Sequence, residues 1–139
     1  MIFVDTSAWF ASIVPSDTDH QAASLWVNQN NQPLLTTDYI VDETLTLLRT
    51  RGEALRAISL GEAFFSGVLA TIYYLSEEDI QQSWQIFRQF SDKNWSFTDC
   101  TSRVVMSKLN LTEAFTVLSS LSSIWIRECC ALKVERSPI

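Results

Sequence analysis

Three acidic residues stand where an acid is costly unless it has work to do. Asp5 directly follows the apolar run Ile2, Phe3, Val4 and precedes two hydroxyls, Thr6 and Ser7. Glu43 interrupts the apolar pattern of "TDYIVDETLTLLR", and Asp99 follows the hydroxyl of Thr98 in "SFTDCTS". Taken singly, each has an ordinary explanation: Asp5 caps a helix, Glu43 makes a surface ion pair, and Asp99 favours the first turn of a helix. Gathered at one site they would repel one another, and burying them would be unfavourable without a bridging cation. Hard carboxylate oxygens with few nitrogens or sulfurs nearby suit Mg²⁺ or Mn²⁺. Such an ion lowers the pKa of a bound water, aligns it with a phosphorus centre and offsets charge on the phosphate oxygens, which is the chemistry of phosphodiester hydrolysis.

The elements that must position these acids can be read from periodicity. Ile2 to Val4 is a short strand buried on both faces, so Asp5 lies at its carboxyl end, and a first helix follows from Ala8 to Ile13. Asp17 or Thr18 caps a second helix running toward Asn30, with Ala22, Leu25 and Trp26 on its inner face. Leu34 to Thr36 is a second strand; Thr37 or Asp38 then opens a helix carrying Ile40, Val41, Leu45, Leu47 and Leu48, with Gly52 as its terminator. Helix is expected from Glu53 to Phe65, and "VLATIYYL" has the strongest β character in the chain. Ser76 with Glu77, Glu78 and Asp79 opens a helix that buries Ile80, Trp84, Phe87 and Phe90 or Ile86. Thr98 caps a helix from Asp99 to about Lys108, and "EAFTV" is a further strand. Strands alternating with helices imply an α/β domain with a parallel sheet between helical layers, whose ligands bind at the carboxyl edge.

Bulk properties set limits. The 139 residues and 47% hydrophobic content are expected to form a single domain over residues 1–139. No apolar run is long enough to span a bilayer, and the N-terminus lacks the flank and cleavage site of a secretory signal, so a cytoplasmic location and no membrane partner are expected. Net charge of −6 argues against a sequence-independent nucleic-acid coat, although a local basic strip can still meet phosphates. Cys100, Cys129 and Cys130 lack the spacing of a zinc site or a disulfide framework, and Cys100 reads as a small buried hydrophobe. His20 is the one histidine, which disfavours a two-histidine ribonuclease; it reads as a surface residue at a helix start. The paired acids of a phosphoaspartate enzyme or a receiver domain are missing.

The blocks "IFVDTSAW", "TTDYIVDETLTLLR" and "SFTDCTS", in that order, resemble the PIN-domain nucleases, a family that includes the VapC-type toxins of toxin–antitoxin pairs. The resemblance runs from Met1 to about Thr116 and implies a PIN-like three-layer α/β/α fold with a central, mainly parallel sheet. It implies that Asp5, Glu43 and Asp99 hold Mg²⁺ or Mn²⁺ and activate water for cleavage of RNA, with Ser7 and Thr98 as supporting hydroxyls. An antitoxin partner and homodimerisation are further expectations of the family, for which helix surfaces around Phe64 and Phe65 are available.

The pattern fails after Thr116. Family members usually carry a phrase like "AFTFD" whose aspartate is a fourth acid, whereas Val117 and Leu118 stand at the last two positions here, and no acid occurs between Glu113 and Glu128. Residues 117–139 are therefore an atypical tail, either divergent or translated out of frame after a small insertion or deletion. The abrupt end of the resemblance favours the frameshift, and absence of an "FD"-like phrase from the other reading frames of the gene would refute it. With three acids, weaker metal binding and reduced activity are expected; the alternative is an inactive PIN-fold protein that binds RNA or a protein partner. Arg49, Arg51 and Arg56, with Arg103 and Lys108, are either solvated helix faces or an RNA path. Trp9, close to Asp5, is the tryptophan best placed to stack on RNA.

Overall fold

The computed structural model describes residues 1–117 and, for the backbone alone, 118 and 123–128. Its elements run β1 (Ile2–Val4), α1 (Thr6–Ile13), α2 (His20–Gln29), β2 (Leu34–Thr37), α3 (Asp38–Thr50), α4 (Ala54–Phe65), β3 (Thr71–Tyr73), α5 (Glu77–Gln89), α6 (Phe97–Lys108), β4 (Glu113–Leu118) and β5 (Ser123–Glu128). The strands form one sheet in the order β3-β2-β1-β4-β5. The first four are mutually parallel and β5 returns antiparallel on the β4 edge. This is the three-layer α/β/α arrangement expected from the alternation of strands and helices.

β1 lies between β2 and β4, with Phe3 opposite both Leu35 and Ala114. All three of its residues are buried, which is why the sequence is continuously apolar there instead of alternating. Beneath it Trp9 stands edge-on to Phe64, and its indole N–H donates to Thr36 Oγ1 at 3.2 Å, while Thr36 donates on to the Val4 carbonyl. Trp26 stacks on Phe115 with ring centres 4.0 Å apart. These rings fix β1 and α1, and hence the exit point of the chain at Asp5. Trp9 is 1% exposed, so the expectation that it stacks on RNA is overturned by its role in the core.

Several elements depart from the sequence reading, each for a local reason. In α2 the inner residues are Ala23, Trp26 and Val27, whereas Ala22 and Leu25 face outward. The helix begins late because the Asp17 carboxylate accepts the Asp19 amide and its carbonyl accepts that of His20, leaving Asp19 at the N-cap. His20 is partly buried, its Nδ1 2.8 Å from the Ala11 carbonyl oxygen, and is no free surface histidine. "VLATIYYL" yields only three strand residues. At its start Gly67, at φ +74°, turns the chain and the Leu69 amide returns to the Ala63 carbonyl of α4; at its end the Leu75 amide donates to Asp38. Gly52, at φ +78°, ends α3 as expected.

The largest difference is in α5, where the buried residues are Asp79 and Ser83, with Ile80, Ile86 and the C-cap Phe90 partly covered. Trp84 and Phe87 are exposed. Asp79 is drawn inward because its carboxylate accepts from the Tyr73 hydroxyl at 2.7 Å, the Ser76 amide at 3.0 Å and Lys108 at 2.9 Å. Ser83, small and bonded to the Asp79 carbonyl, lets α5 lie close to α6. That inner stripe at i, i+4 and i+7 rotates the aromatic stripe to the outside. Phe64 is likewise a core residue at 1% exposure, so of the proposed surface pair only Phe65 is available to a partner.

Candidate active site

Asp5 caps α1: its Oδ1 accepts from the Ala8 amide at 3.0 Å and from the Ser7 hydroxyl at 2.6 Å. Oδ2 accepts a short hydrogen bond from the Thr116 hydroxyl on β4. The Ser7 oxygen also accepts the Val117 amide at 3.0 Å, and the Asp5 amide donates to the Phe115 carbonyl at 3.3 Å. Because the protons of both hydroxyls are committed to Asp5, the 3.3 Å separation between Ser7 and Thr116 oxygens is packing. The result is a carboxylate clamped between the first helix and the strand beside it.

Burial pushes the Asp5 carboxyl above the usual range; hydrogen bonds from Ser7, Thr116 and Ala8 oppose this only in part, and the negative charge of Asp99 pushes it further. A desolvated, hydrogen-bonded acid facing a second acid is an arrangement that a cation relieves. The helix cap and the ligand reading of Asp5 therefore coexist in one side chain.

Asp99 reaches this neighbourhood from the first turn of α6. Ser96, rather than Thr98, is the N-cap: Ser96 Oγ accepts the Asp99 amide at 3.0 Å and Asp99 Oδ2 accepts the Ser96 amide at 2.8 Å. The reciprocal pair is a capping box, which the "SFTD" spacing displays and the sequence reading overlooked in favour of Thr98. It holds the Asp99 backbone and one oxygen, while the other has no hydrogen bond among the described residues. The Thr98 carbonyl accepts from Thr101 and Ser102; among the described residues its hydroxyl bonds to none of the acids. Cys100, fully buried, has its thiol pushed up by burial and then by Asp99, as expected of a small hydrophobe.

Glu43 is partly buried on α3, one residue before Thr44, and makes no hydrogen bond or ion pair among the described residues. α3 packs on both α1 and α6, the helices that carry Asp5 and Asp99. Among the described residues, however, no three His, Cys, Asp or Glu side chains gather as a ready-made metal cage. The donor set still fits a small hard cation: Mg²⁺ retains several waters and needs only one or two carboxylates. Two buried hydroxyls, those of Thr6 and Thr44, have no hydrogen-bond partner among the described residues, and they follow Asp5 and Glu43 in sequence. Buried hydroxyls normally have a partner, as ordered water around such an ion would provide.

The side chain missed entirely in the sequence reading is Thr116. A parallel strand beside β1 must carry a residue next to Asp5, but nothing local to "EAFTV" says that the strand is this one or that the residue is Thr116. Leu118 ends β4, and the region of the divergent or frameshifted tail beyond it, with Cys129 and Cys130, lies outside the described side chains. The basic residues are largely committed elsewhere. Arg56 pairs with Glu53 at 2.9 Å, Lys108 with Asp79, and the Arg103 guanidinium lies 3.8 Å from the centre of the Trp95 ring.

No family model matches the chain. Among curated proteins it is 30% identical over 116 residues to the 23S rRNA-specific endonuclease VapC20 of Mycobacterium tuberculosis, covering 83% of this chain and 87% of that protein. It is also 34% identical over 79 residues to a VapC ribonuclease of Archaeoglobus fulgidus, 56% of this chain and 49% of that one. Among solved structures, the crystal structure of Mycobacterium tuberculosis VapC20, a sarcin–ricin loop cleaving toxin, superimposes with a TM-score of 0.80 at 26% identity, covering 86% of this chain and 92% of that one. The order of acids, the sheet built around Asp5 and this likeness over most of both chains agree: the chain belongs to the VapC family of PIN-domain endoribonucleases.

Proposed function

We propose that this chain hydrolyses RNA with Mg²⁺ or Mn²⁺ held by Asp5 and Asp99 and completed by Glu43, with Ser7 and Thr98 supporting those acids. The observation that carries the proposal is the desolvated Asp5 carboxylate, clamped by two hydroxyls and a helix amide beside a second acid. When bound, the cation supplies compensation for negative charge on the phosphate and lowers the pKa of an attacking water. Asp5, fixed from both sides, sets where that charge sits. Among the described residues Asp99 keeps one oxygen without a hydrogen bond, which would orient the water and take its proton, while the ribose oxygen released as the phosphorus–oxygen ester bond breaks would take a proton from solvent. Structured ribosomal RNA is the substrate class that VapC20's name suggests, and an antitoxin and a second copy of the chain are the proposed partners.

A second reading has one observation in its favour: leucine at position 118, where relatives of this type carry an acid. In that reading the chain binds RNA or an antitoxin without cutting. Cleavage of a mixed RNA pool with added Mn²⁺, with EDTA and with Asp5→Asn separates the two. The nuclease reading expects metal-dependent fragments that disappear in both controls. Retained RNA or antitoxin binding with no fragments under any condition would establish the binding module.

A further inference from the structure

Arg103 stands one turn after Asp99 on α6, the spacing at which an arginine ordinarily pairs with an acid of its own helix. It does not pair: among the described residues Arg103 makes no ion pair, and its guanidinium lies on the face of Trp95, 3.8 Å from the ring centre. Trp95 is backed in turn by Phe90, the C-cap of α5, with ring centres 5.4 Å apart. Arg103 is also the one Lys or Arg among the described residues that is partly buried; the rest are exposed. An ion pair would occupy the donors of a guanidinium, whereas stacking holds it by its face and leaves the N–H fork on its edge to bind two oxygens of a phosphate.

The same side chain lines a groove of about 470 Å³ between α5 and α6, on the flank of α5 turned away from Trp84 and Phe87. Gln85, Gln89 and Ser107 add uncharged donors to it. Its acids, Glu78 and Asp79, lie at the opposite end, where Gln82 and Lys108 bond to them. A backbone phosphate drawn toward the carboxylate site is repelled by the acids there, so it needs a cation that no carboxylate has already neutralised. We propose that Arg103 anchors the RNA backbone, its edge donors gripping a phosphate next to the scissile one, while Trp95 keeps the guanidinium from collapsing onto Asp99. This deepens the nuclease reading above, on which it rests, by assigning the substrate a second contact one turn from the acid that orients the water. Of the basic residues that could mark an RNA path, Lys108 is tied to Asp79 and Arg103 is the one aimed at substrate.

The measurement is the affinity of the full chain for a fluorescein-labelled, mixed-sequence single-stranded oligoribonucleotide in EDTA, at salt concentrations from about 50 to 200 mM. Arg103→Gln is expected to weaken binding about five- to thirtyfold and to make the dependence of log Kd on log salt shallower by about 0.7, the share of one phosphate contact. Arg103→Lys keeps the charge without the fork, so the salt dependence is expected to persist while affinity falls about threefold; it decides the matter should the glutamine variant melt early. Arg49→Gln removes the same charge from the exposed end of α3 and is expected to bind as the parent does. Unaltered affinity in Arg103→Gln would overturn the anchor, as would a lysine variant that binds as tightly as the parent, or failure of the parent to bind. Equal weakening by Arg49→Gln would also overturn it, reducing the effect to diffuse charge. Weakened binding specific to Arg103, in a chain that cleaves no RNA once Mn²⁺ is supplied, would leave the anchor standing and refute the nuclease reading.

Discussion

At the scale of single residues, the proposed chemistry depends on keeping Asp5 ionised in a place that disfavours charge. Ser7 and Thr116 each spend their hydroxyl proton on it, so removing either leaves burial less opposed and pushes the carboxyl further up. Ser7→Ala and Thr116→Val are therefore expected to lower metal-dependent RNA cleavage roughly 10- to 100-fold, the usual effect of losing a side chain that orients a metal ligand. Cleavage rates at increasing Mn²⁺ provide the check: the defect should shrink as metal is raised, and a defect independent of Mn²⁺ would assign the hydroxyls another role. Glu43 belongs to a different category, since its carboxylate has no partner among the described residues to give up. Glu43→Gln is expected to leave thermal stability nearly unchanged while reducing cleavage, and a large loss of stability would mean that it serves the fold.

Among the elements, two helices share the same start and differ in what the start does. Ser76 and Asp79 form a capping box on α5, as Ser96 and Asp99 do on α6. Ser76→Ala and Ser96→Ala are each expected to cost about 1 kcal/mol in denaturant unfolding. Only Ser96→Ala should also slow RNA cleavage, about tenfold or more, because fraying there displaces Asp99. Equal cleavage by the two variants would separate Asp99 from the chemistry. The same pair shows what could be read in advance. Acids behind Ser76 announced α5 correctly, and the continuous apolar run announced β1, because both signals are local. The buried face of α5 was misread because aromatic residues at helical spacing suggest a core, whereas an ion pair with Lys108, 29 positions away, decides which way the helix turns. Thr116 was legible only through the tertiary fold, since it is the pairing of β4 with β1 that brings it to Asp5.

Across the whole molecule, the Asp79–Lys108 pair ties α5 to the end of α6, and Tyr73 extends the tie to the edge of the sheet. Burial alone would push the Asp79 carboxyl up, but bonds from the Ser76 amide, Lys108 and Tyr73 outweigh it and hold the group well below the ordinary range. Lys108 is held above its own range, chiefly by its bond to Asp79. The depressed acid contributes stability that is present above about pH 4 and lost as pH falls through its folded value; the raised lysine contributes below about pH 10 and loses it as pH rises. Asp79→Asn is accordingly expected to destabilise the fold by about 1–3 kcal/mol near pH 7, with the difference from the parent narrowing below pH 4. Thermal melts at pH 7 and pH 3 measure this, and an equal difference at both would show that the charge is irrelevant. β1 lies between β2 and β4, so such ties hold the sheet on whose carboxyl edge Asp5 is presented.

The most direct measurement is calorimetric titration of the chain with Mn²⁺, alongside Asp5→Asn. Saturable binding in the parent, abolished or weakened roughly a hundredfold by the substitution, is the predicted result. Equal binding by the two proteins, or none by the parent, would contradict the claim that Asp5 ends its strand in order to hold a cation.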